Sequence, residues 1–320
     1  MTTALVTGGA GFIGSNLVDA LVARGDQVSV IDDLSTGRRS NLAGALESGI
    51  ELIEADVRDR DAVRAAISST EPRVIYHLAA QIDVRKSVAD PRFDLDLNGG
   101  GTIELLEAAR EGGVERFVFA STAGAIYGEG EGRNLPFGED AACVPDAPYG
   151  QSKFAAEGYV GLYARLHGLA TVALRLANVY GPRQDPLGEA GVVAIYAGAL
   201  LDGRTPIVFG DGEQTRDYIY VGDVVDGFLA AGVSRARGTF NISTGAETNV
   251  LDLGAAVAAA CGREFEPEFA PPRLGEVART VADPGRAGRE LGWAPATTLA
   301  EGLVSTVEWA RSTAGSRSTG

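Results

Sequence analysis

The sequence predicts an α/β protein with a doubly wound parallel sheet and a smaller, interleaved α/β domain. Short apolar runs alternate with amphipathic stretches in the first half, a glycine-rich turn follows the first apolar run, and the composition changes after Tyr180. Strand–helix alternation at this spacing is typical of parallel sheets with right-handed crossovers. We expect a larger domain over residues 1–180, a smaller domain over 181–310 that partly interleaves with it, and a disordered tail over 311–320.

The individual elements follow from hydrophobic periodicity. Short runs rich in Val, Ile and Phe predict buried strands, and amphipathic stretches between them predict helices. Asp90-Pro91 is a favourable N-cap and first-turn pair for one of these helices. The predicted strands cover residues 4–6, 28–31, 52–53, 74–76, 117–119 and 171–176, and the predicted helices cover 12–24, 60–68, 91–110 and 149–167.

Composition excludes several classes of function. The formal charge of −15 argues against nucleic acid or an anionic membrane as a partner. Cys143 and Cys261 are far apart and the chain has only two histidines, so no metal site is predicted. The sequence has no apolar run long enough for a membrane span and no signal-peptide pattern. Together with the two isolated cysteines, this leads us to expect a cytoplasmic protein.

The glycine-rich turn lies between a strand and a helix. Glycines at 8, 11 and 14 permit a tight turn, close approach of a pyrophosphate and tight helix–strand packing. The first helical residues, Phe12 and Ile13, offer unpaired N–H groups to phosphate. A plain surface turn is the alternative, but the order of strand, loop and helix favours a dinucleotide site formed by Gly8, Gly11, Phe12, Ile13 and Gly14.

Asp32 ends the second predicted strand, where an acid binds the adenosine ribose of a dinucleotide. Its charge would repel a 2′-phosphate, which favours NAD over NADP. Arg38 and Arg39 are counter-evidence, and we interpret both as solvated loop charges. The same loop contributes three further cofactor candidates, Asp33, Thr36 and Gly37.

Tyr149 and Lys153 form a candidate catalytic pair. Lys153 is one of only two lysines in the chain, and it follows Tyr149 by one helical turn. A cation there would lower the pKa of the phenol, making it a general base for a substrate hydroxyl while hydride passes to nicotinamide. Lys153 would also hold the nicotinamide ribose. A surface pair is the alternative, but the neighbouring dinucleotide site favours catalysis.

Further motifs accompany this pair along residues 3–310. With them, the chain resembles the extended short-chain dehydrogenase/reductase superfamily and, within it, the UDP-glucose (UDP-galactose) 4-epimerases. The motifs are Ile31-Asp32-Asp33, Ala55-Asp56-Val57, His77-Leu78-Ala79-Ala80-Gln81, Asn98-Gly99-Gly100-Gly101-Thr102, Ala177-Asn178-Val179-Tyr180-Gly181-Pro182-Arg183, Arg216-Asp217-Tyr218 and Arg273-Leu274-Gly275-Glu276.

The resemblance implies a Rossmann domain, tightly bound NAD+, a UDP-hexose substrate and a homodimer formed by helices 91–110 and 149–167. It implies that Arg216 and Arg273 clamp the diphosphate, which suits arginine's forked guanidinium. Cofactor residues implied in this way are Asp56, Val57, Leu78, Ala79, Ala80, Gln81 and Asn98. Substrate residues implied in this way are Asn178, Val192, Val193, Ile207, Phe209, Arg216, Arg273 and Glu276, with Phe209 near the uracil and Glu276 on the uridine ribose.

One position departs from the family pattern. The family usually has a catalytic Ser or Thr four residues before the Tyr-Gly that follows the fifth strand, and Ala123 stands there. The nearest hydroxyls belong to Ser121 and Thr122, and either can supply the missing hydrogen bond. Both are therefore candidate catalytic residues.

Three positions favour one reaction. Gly124 and Ala125 replace the Asp-Glu pair of related dehydratases, and Ala125 also replaces the glutamate of related decarboxylases. Asp185 stands where glucuronate epimerases often have an arginine, and it would repel a sugar carboxylate. The prediction is C4 epimerisation of UDP-glucose and UDP-galactose, as in galactose metabolism. An epimerase of another nucleotide sugar (UDP-N-acetylglucosamine or UDP-glucuronate), an NAD-dependent oxidoreductase and a non-catalytic NAD-sensing protein are the alternatives.

Overall fold

The computed structural model describes residues 2–186, 191–272 and 277–317. Its strands are β1 (Thr3–Thr7), β2 (Gln27–Asp32), β3 (Glu51–Glu54), β4 (Val74–His77), β5 (Arg116–Thr122), β6 (Ala170–Leu176), β7 (Asn178–Tyr180), β8 (Ile207–Phe209), β9 (Thr215–Arg216), β10 (Tyr218–Tyr220), β11 (Gly238–Ile242), β12 (Thr248–Asn249), β13 (Glu268–Ala270) and β14 (Arg279–Thr280).

The helices lie between these strands and at the end of the chain. They are α1 (Phe12–Ala23), α2 (Ala43–Glu47), α3 (Arg60–Thr70), α4 (Val84–Ala89), α5 (Pro91–Leu95), α6 (Gly101–Glu111), α7 (Ala123–Ile126), α8 (Pro148–His167), α9 (Val192–Leu201), α10 (Val221–Val233), α11 (Val250–Cys261), α12 (Gly285–Leu291) and α13 (Leu299–Arg317).

The central sheet has seven parallel strands in the order β11-β6-β5-β4-β1-β2-β3. The chain builds outward from β1 to β3 and then returns to build the other half from β4. The strand order therefore reverses between β1 and β4, and ligands of such sheets bind beyond the carboxyl ends of the strands at this point. The predicted doubly wound parallel fold is confirmed.

Helices cover both faces of this sheet. On one face, Leu17 of α1 and Phe228 of α10 are buried in the same apolar cluster. On the other face, Ile67 of α3, Leu105 of α6 and Val160 of α8 share a second cluster. Every residue of β4 and β5 is buried. Because both faces are covered, the site residues that follow β4 and β5 stand on a rigid base.

The later part of the chain surrounds a third apolar cluster. Its members include Tyr180, Val193 of α9, Leu253 of α11 and Leu303 of α13. Three small sheets accompany it, pairing β7 with β10, β8 with β13, and β9 with both β12 and β14. The chain nevertheless returns to the central sheet through β11, which pairs with β6.

Two segments differ from the expected secondary structure. The helix expected over 91–110 contains a π-helical turn at Asp96–Gly100, next to three consecutive glycines. A Cβ on Gly101 would lie 2.8 Å from Cγ2 of Val57, so the helix packs closely at this turn. The final helix continues to Arg317 where we expected a disordered tail from residue 311. Arg311 Nη2 donates to the carbonyl of Cys261 at 2.9 Å, which fastens this helix to α11.

Two searches of the described residues are negative. No helix among them has the length and apolarity needed to cross a membrane. No cluster of three or more His, Cys, Asp or Glu side chains within 2–186, 191–272 and 277–317 could hold a metal ion.

Candidate active site

The glycine-rich loop passes directly against the end of β4. Gly8 has a φ of +69°, and a Cβ there would lie 2.6 Å from the backbone nitrogen of Ala79. A Cβ on Gly14 would lie 2.1 Å from the carbonyl oxygen of Gly8. Both positions therefore require glycine. Gly11, the N-cap of α1, makes no side-chain capping bond, so the helix presents its first N–H groups to a phosphate.

Asp32 lies at the carboxyl end of β2 and is buried. Its Oδ2 accepts from the backbone N–H of Ala10 at 2.8 Å, and its Oδ1 accepts from that of Leu34 at 2.9 Å. Burial raises the pKa of this carboxyl, while the two backbone bonds oppose the rise. A Cβ on Gly37 would lie 2.7 Å from Oδ1, so the loop closes tightly over the carboxylate. Asp32 retains lone pairs for a ribose hydroxyl. Asp33 and Thr36 of the same loop are exposed.

Arg38 is exposed, as expected of a solvated loop charge, and it has one charged partner. It forms an ion pair with Asp185, 147 residues away in the chain. This exposed pair partly compensates the charge of Asp185, which weakens the expected repulsion between Asp185 and a sugar carboxylate. Arg39 is exposed and starts a 3₁₀ turn at Arg39–Leu42.

Tyr149 and Lys153 both lie on the first turns of α8. Lys153 is buried, with Nζ 4.3 Å from the ring centroid of Phe119. Burial lowers the pKa of Lys153 to about 7, and the carboxylates of Asp94 and Glu157 oppose this. Burial raises the pKa of Tyr149 to about 12, and a hydrogen bond with Thr122 opposes this. Lys153 therefore does not lower the pKa of the phenol as expected, because desolvation dominates both groups.

The structure separates the two candidate hydroxyls at the end of β5. The Thr122 side chain lies beside the phenol of Tyr149 and acts to lower its pKa. The Ser121 Oγ instead donates to Oε2 of Glu157 at 2.8 Å. Glu157 in turn forms a buried ion pair with Arg175, with Nη2 and Oε1 2.6 Å apart. Ser121 therefore belongs to a buried structural network, and Thr122 is the hydroxyl next to the candidate base.

The Asn98 side chain connects the segment after β4 with helix α8. It is buried in the π-helical turn, and its Oδ1 accepts from the backbone N–H of Gln81 at 2.8 Å. Its Nδ2 lies 3.0 Å from the Gln81 carbonyl and 2.9 Å from the Ser152 Oγ. The Gln81 amide donates to Oδ1 of Asp94 at 2.7 Å. The Asn98 side chain therefore holds Gln81 against α8, and its cofactor role stays a prediction. Asp94 was missed from the sequence, although it lies one helical turn before Asn98.

The remaining cofactor candidates follow β3 and β4 at the same edge. Leu78, Ala79 and Ala80 are half-buried, and the Leu78 N–H donates to the Thr7 carbonyl at 3.1 Å. Val57 is buried against Gly101. The Asp56 carboxylate is paired with Arg58 Nε at 3.0 Å. The end of β1, the glycine-rich loop and the segment after β4 therefore converge at the switch point of the sheet.

The predicted substrate residues converge on one cavity. It has a volume of about 200 Å³ and lies between β7, α9, β8 and β9. Arg216 Nη1 donates to the carbonyl of Thr215 at 2.8 Å, and Asn178 Nδ2 donates to that of Asp217 at 3.2 Å. Predicted lining residues that the structure brings together here are Asn178, Val192, Val193, Ile207, Phe209 and Arg216.

Other parts of the cavity were not anticipated. Tyr180, Tyr196, Gln214 and Tyr218 also line it. Tyr180 and Tyr218 belong to two of the family motifs. Nothing in the spacing of these motifs shows that β7 and β10 pair and bring the two tyrosines together. Two predicted substrate residues, Arg273 and Glu276, lie outside the described residues.

Comparison with known proteins agrees with this geometry. The model of the NAD dependent epimerase/dehydratase family matches residues 4–243. The chain belongs to this family. It is 50% identical to UDP-glucose 4-epimerase of Mycolicibacterium smegmatis over 309 residues, covering 96% of this chain and 98% of that protein. The predicted resemblance to the extended superfamily and its 4-epimerases is confirmed.

Two solved structures are similar throughout. UDP-glucose 4-epimerase of Thermotoga maritima with UDP-glucose superposes with a TM-score of 0.94 at 43% identity, covering 97% of this chain and 99% of that one. UDP-glucose 4-epimerase of Thermus thermophilus in complex with NAD superposes with a TM-score of 0.89 at 44% identity, covering 96% and 98%. The similarity therefore includes both the central sheet and the later part of the chain.

Proposed function

We propose that the protein is an NAD-dependent 4-epimerase that interconverts UDP-glucose and UDP-galactose. The observation that carries this proposal is the placement of Tyr149, with Thr122 beside it, at the same sheet edge as the glycine-rich loop. A separate cavity containing Arg216 can receive the nucleotide. Similarity to UDP-glucose 4-epimerases over almost the whole chain supports the choice of substrate.

NAD fits the residues of the central sheet. The N–H groups at the start of α1 would hold its pyrophosphate, Asp32 the adenosine ribose, and Lys153 the nicotinamide ribose. The Asp32 carboxylate supports NAD over NADP, because its charge would repel a 2′-phosphate. When bound, the cofactor would accept a hydride from C4 of the sugar and return it. Since it is regenerated in each cycle, it stays bound.

Tyr149 would act as the base. Its oxygen takes the proton from O4 of the hexose, and Thr122 orients the phenol and hydrogen-bonds to its ionised form. A pKa of about 12 leaves the phenol neutral near pH 7. The phenolate therefore requires positive charge beside it, which the Lys153 ammonium and the bound nicotinamide supply.

The substrate cavity would hold the nucleotide more firmly than the hexose. Arg216 provides a forked donor for the diphosphate, and the resemblance adds Arg273 as a second. Phe209 offers an aromatic face to the uracil, while Asn178 lies near the diphosphate or the hexose. With few fixed contacts, the 4-keto sugar can turn about its link to the diphosphate and present its other face to the returning hydride.

UDP-glucuronate is the alternative substrate that the structure leaves open. The Arg38 partner of Asp185 weakens the expected repulsion of a sugar carboxylate. Adding UDP-glucuronate to the assay described below decides this. If UDP-glucuronate is converted faster than UDP-galactose, UDP-glucuronate becomes the proposed substrate.

A homodimer is also part of the proposal. Exposed apolar side chains on α4, α5 and α8 support the expected four-helix contact. Val88 is 64% exposed, Leu95 50% and Phe154 37%. Sedimentation at micromolar concentration should give a dimer, and a monomer would refute this assignment. A cytoplasmic location and a role in galactose metabolism complete the proposal, and the unpaired Cys143 and Cys261 are compatible with a reducing compartment.

The proposed reaction can be tested without adding cofactor. Purified protein is incubated with UDP-galactose alone, and the anomeric protons are followed by NMR. Equilibration with UDP-glucose supports the proposal, since it requires NAD carried by the protein. A flat trace from protein that contains bound NAD would refute the UDP-hexose assignment. Turnover that depends on added NAD with accumulation of NADH would favour the oxidoreductase alternative.

A further inference from the structure

Asp94 is a buried acid behind the catalytic pair. It lies on α5, has no exposed surface, and packs where α5 meets α8. Its Oδ1 accepts from the Gln81 amide at 2.7 Å and from the Asn98 amide at 3.3 Å. Its Oδ2 is buried and has no hydrogen-bond partner among the described residues. A buried carboxylate oxygen without a partner is costly, so a nearby positive charge is needed to compensate it.

Lys153 on α8 is a cation whose charge this carboxylate stabilises across the packing of α5 against α8. Lys153 interacts electrostatically with two acids, Asp94 on α5 and Glu157 on its own helix. Glu157 is already neutralised by Arg175, which contacts both of its carboxylate oxygens, and it accepts a bond from Ser121. The other titratable groups around Lys153 are His77 on β4, whose pKa the lysine lowers, and Tyr149. Asp94 is therefore the acid left to compensate the Lys153 ammonium.

The same carboxylate is tied to the segment that follows β4. Gln81, which binds Asp94 Oδ1, ends this segment, and Asn98 links Gln81 to Ser152 on α8. Ser152 Oγ donates to the carbonyl of Tyr149 at 3.0 Å. One network therefore joins Asp94, the nicotinamide side of the cofactor site and the helix of the catalytic pair.

We propose that Asp94 is a positioning residue for catalysis: its buried carboxylate compensates the Lys153 ammonium and anchors Gln81 against α8. Asp94 acts on the reaction through Lys153 and Tyr149, and it touches neither substrate nor reacting atoms. Its influence on rate rests on the proposed epimerase function. Its influence on Lys153 does not, and can be measured without turnover.

The lysine content of the chain makes this measurement direct. Lys86 and Lys153 are the only lysines, so protein labelled with [ε-13C]lysine gives two side-chain signals. Lys86→Arg assigns them, and Lys86 serves as the reference within each titration. Asp94→Asn is compared with Asp96→Asn, which removes the same charge from an exposed carboxylate two residues away.

The expected result is a shift of the Lys153 titration to lower pH by about one pH unit or more in Asp94→Asn, since an opposite charge has been removed. Asp96→Asn should titrate like the wild type. An unchanged Lys153 midpoint in folded Asp94→Asn, with only a lower melting temperature, would overturn the proposal and leave Asp94 a structural acceptor. If Asp94→Asn does not fold, Asp94→Ser repeats the test, because it also removes the charge and keeps an acceptor.

The pH profile of kcat is the second measurement that tests the role of Asp94. Asp94 raises the pKa of both Tyr149 and Lys153, so its removal lowers both. The acidic limb of the kcat profile reports ionisation of Tyr149, and the alkaline limb reports loss of the Lys153 ammonium. Both limbs should move to lower pH in Asp94→Asn. A lower kcat with an unmoved profile would contradict the inference. If no variant or wild type turns over any nucleotide sugar, the epimerase proposal fails while the lysine titration still decides the role of Asp94.

Discussion

The cofactor side and the substrate side of the site use their polar groups differently. On the cofactor side, Asp32, Gln81 and Asn98 are buried and hydrogen-bonded to neighbouring backbone. On the substrate side, the cavity wall is largely apolar and aromatic, and Arg216 is its charged member among the described residues. The difference matches a reaction in which a cofactor stays in place while a sugar turns. Rigid polar networks would fix the cofactor, while Arg216 and the aromatic wall would hold the nucleotide and leave the sugar few directional contacts.

The largest expected effect is on proton transfer by Tyr149, where the cofactor side meets the substrate side. Tyr149→Phe removes the proposed base and should lower kcat by about 10²- to 10⁴-fold, the usual contribution of a general base. Bound NAD should remain, as measured by absorbance after denaturation. Tyr159→Phe, on the exposed face of the same helix, should leave kcat unchanged. Near-normal turnover in Tyr149→Phe would show that Tyr149 is not the catalytic base.

The next effect concerns the rigidity of the cofactor side. Gly14→Ala places a Cβ 2.1 Å from the Gly8 carbonyl, and neither atom belongs to a flexible side chain. Overpacking of about 1–3 kcal/mol should lower NAD affinity roughly tenfold or more. Gly44→Ala is the matched control, because its Cβ meets nothing within 4 Å in helix α2. It should be neutral or slightly stabilising. Full NAD retention in Gly14→Ala would show that the loop is not the phosphate site.

A smaller effect is expected on the substrate side. Arg216→Lys keeps the charge but loses the forked donor, so KM for the UDP-sugar should rise roughly 10- to 100-fold. NAD content should not change, since Arg216 lies away from the glycine-rich loop. Arg204→Lys, in an exposed ion pair with Asp202, is the control and should behave like the wild type. An unchanged KM in Arg216→Lys would show that this cavity does not bind the substrate.

The smallest effect distinguishes the two hydroxyls at the end of β5. Thr122→Val removes a hydrogen bond that lowers the pKa of Tyr149, so the acidic limb of the kcat profile should move to higher pH. The loss in kcat should be about 5- to 10-fold, the value of one hydrogen bond. Ser121→Ala should leave that limb unchanged and lower the unfolding free energy by about 1 kcal/mol, since its partner is Glu157. The opposite pattern would identify Ser121 as the catalytic hydroxyl.

The two sides also differ in how far the sequence predicts them. The order of strand, glycine-rich loop and helix, with Asp32 at the next strand end, predicts the cofactor side locally. The partners of Asp94 and Asn98 could not be read in this way, because they depend on a π-helical turn that no periodicity indicates. The ion pair of Arg38 with Asp185 joins distant parts of the chain.

The substrate side needed the family resemblance. Its residues come from short strands and helix α9, which are brought together only by packing around the third apolar cluster. The pKa of Tyr149 was also misjudged from sequence. Spacing shows that Tyr149 and Lys153 share a helix face, but it does not show how strongly desolvation acts on the pKa of either group.

The central claim is that hydride leaves and returns to the same carbon within one site. UDP-galactose carrying deuterium at C4 tests it most directly, with the product followed by proton NMR and mass spectrometry. UDP-glucose that keeps its deuterium at C4, with none appearing in added unlabelled NAD, is the predicted result. Deuterium lost to solvent, or transferred to the added NAD, would contradict the account.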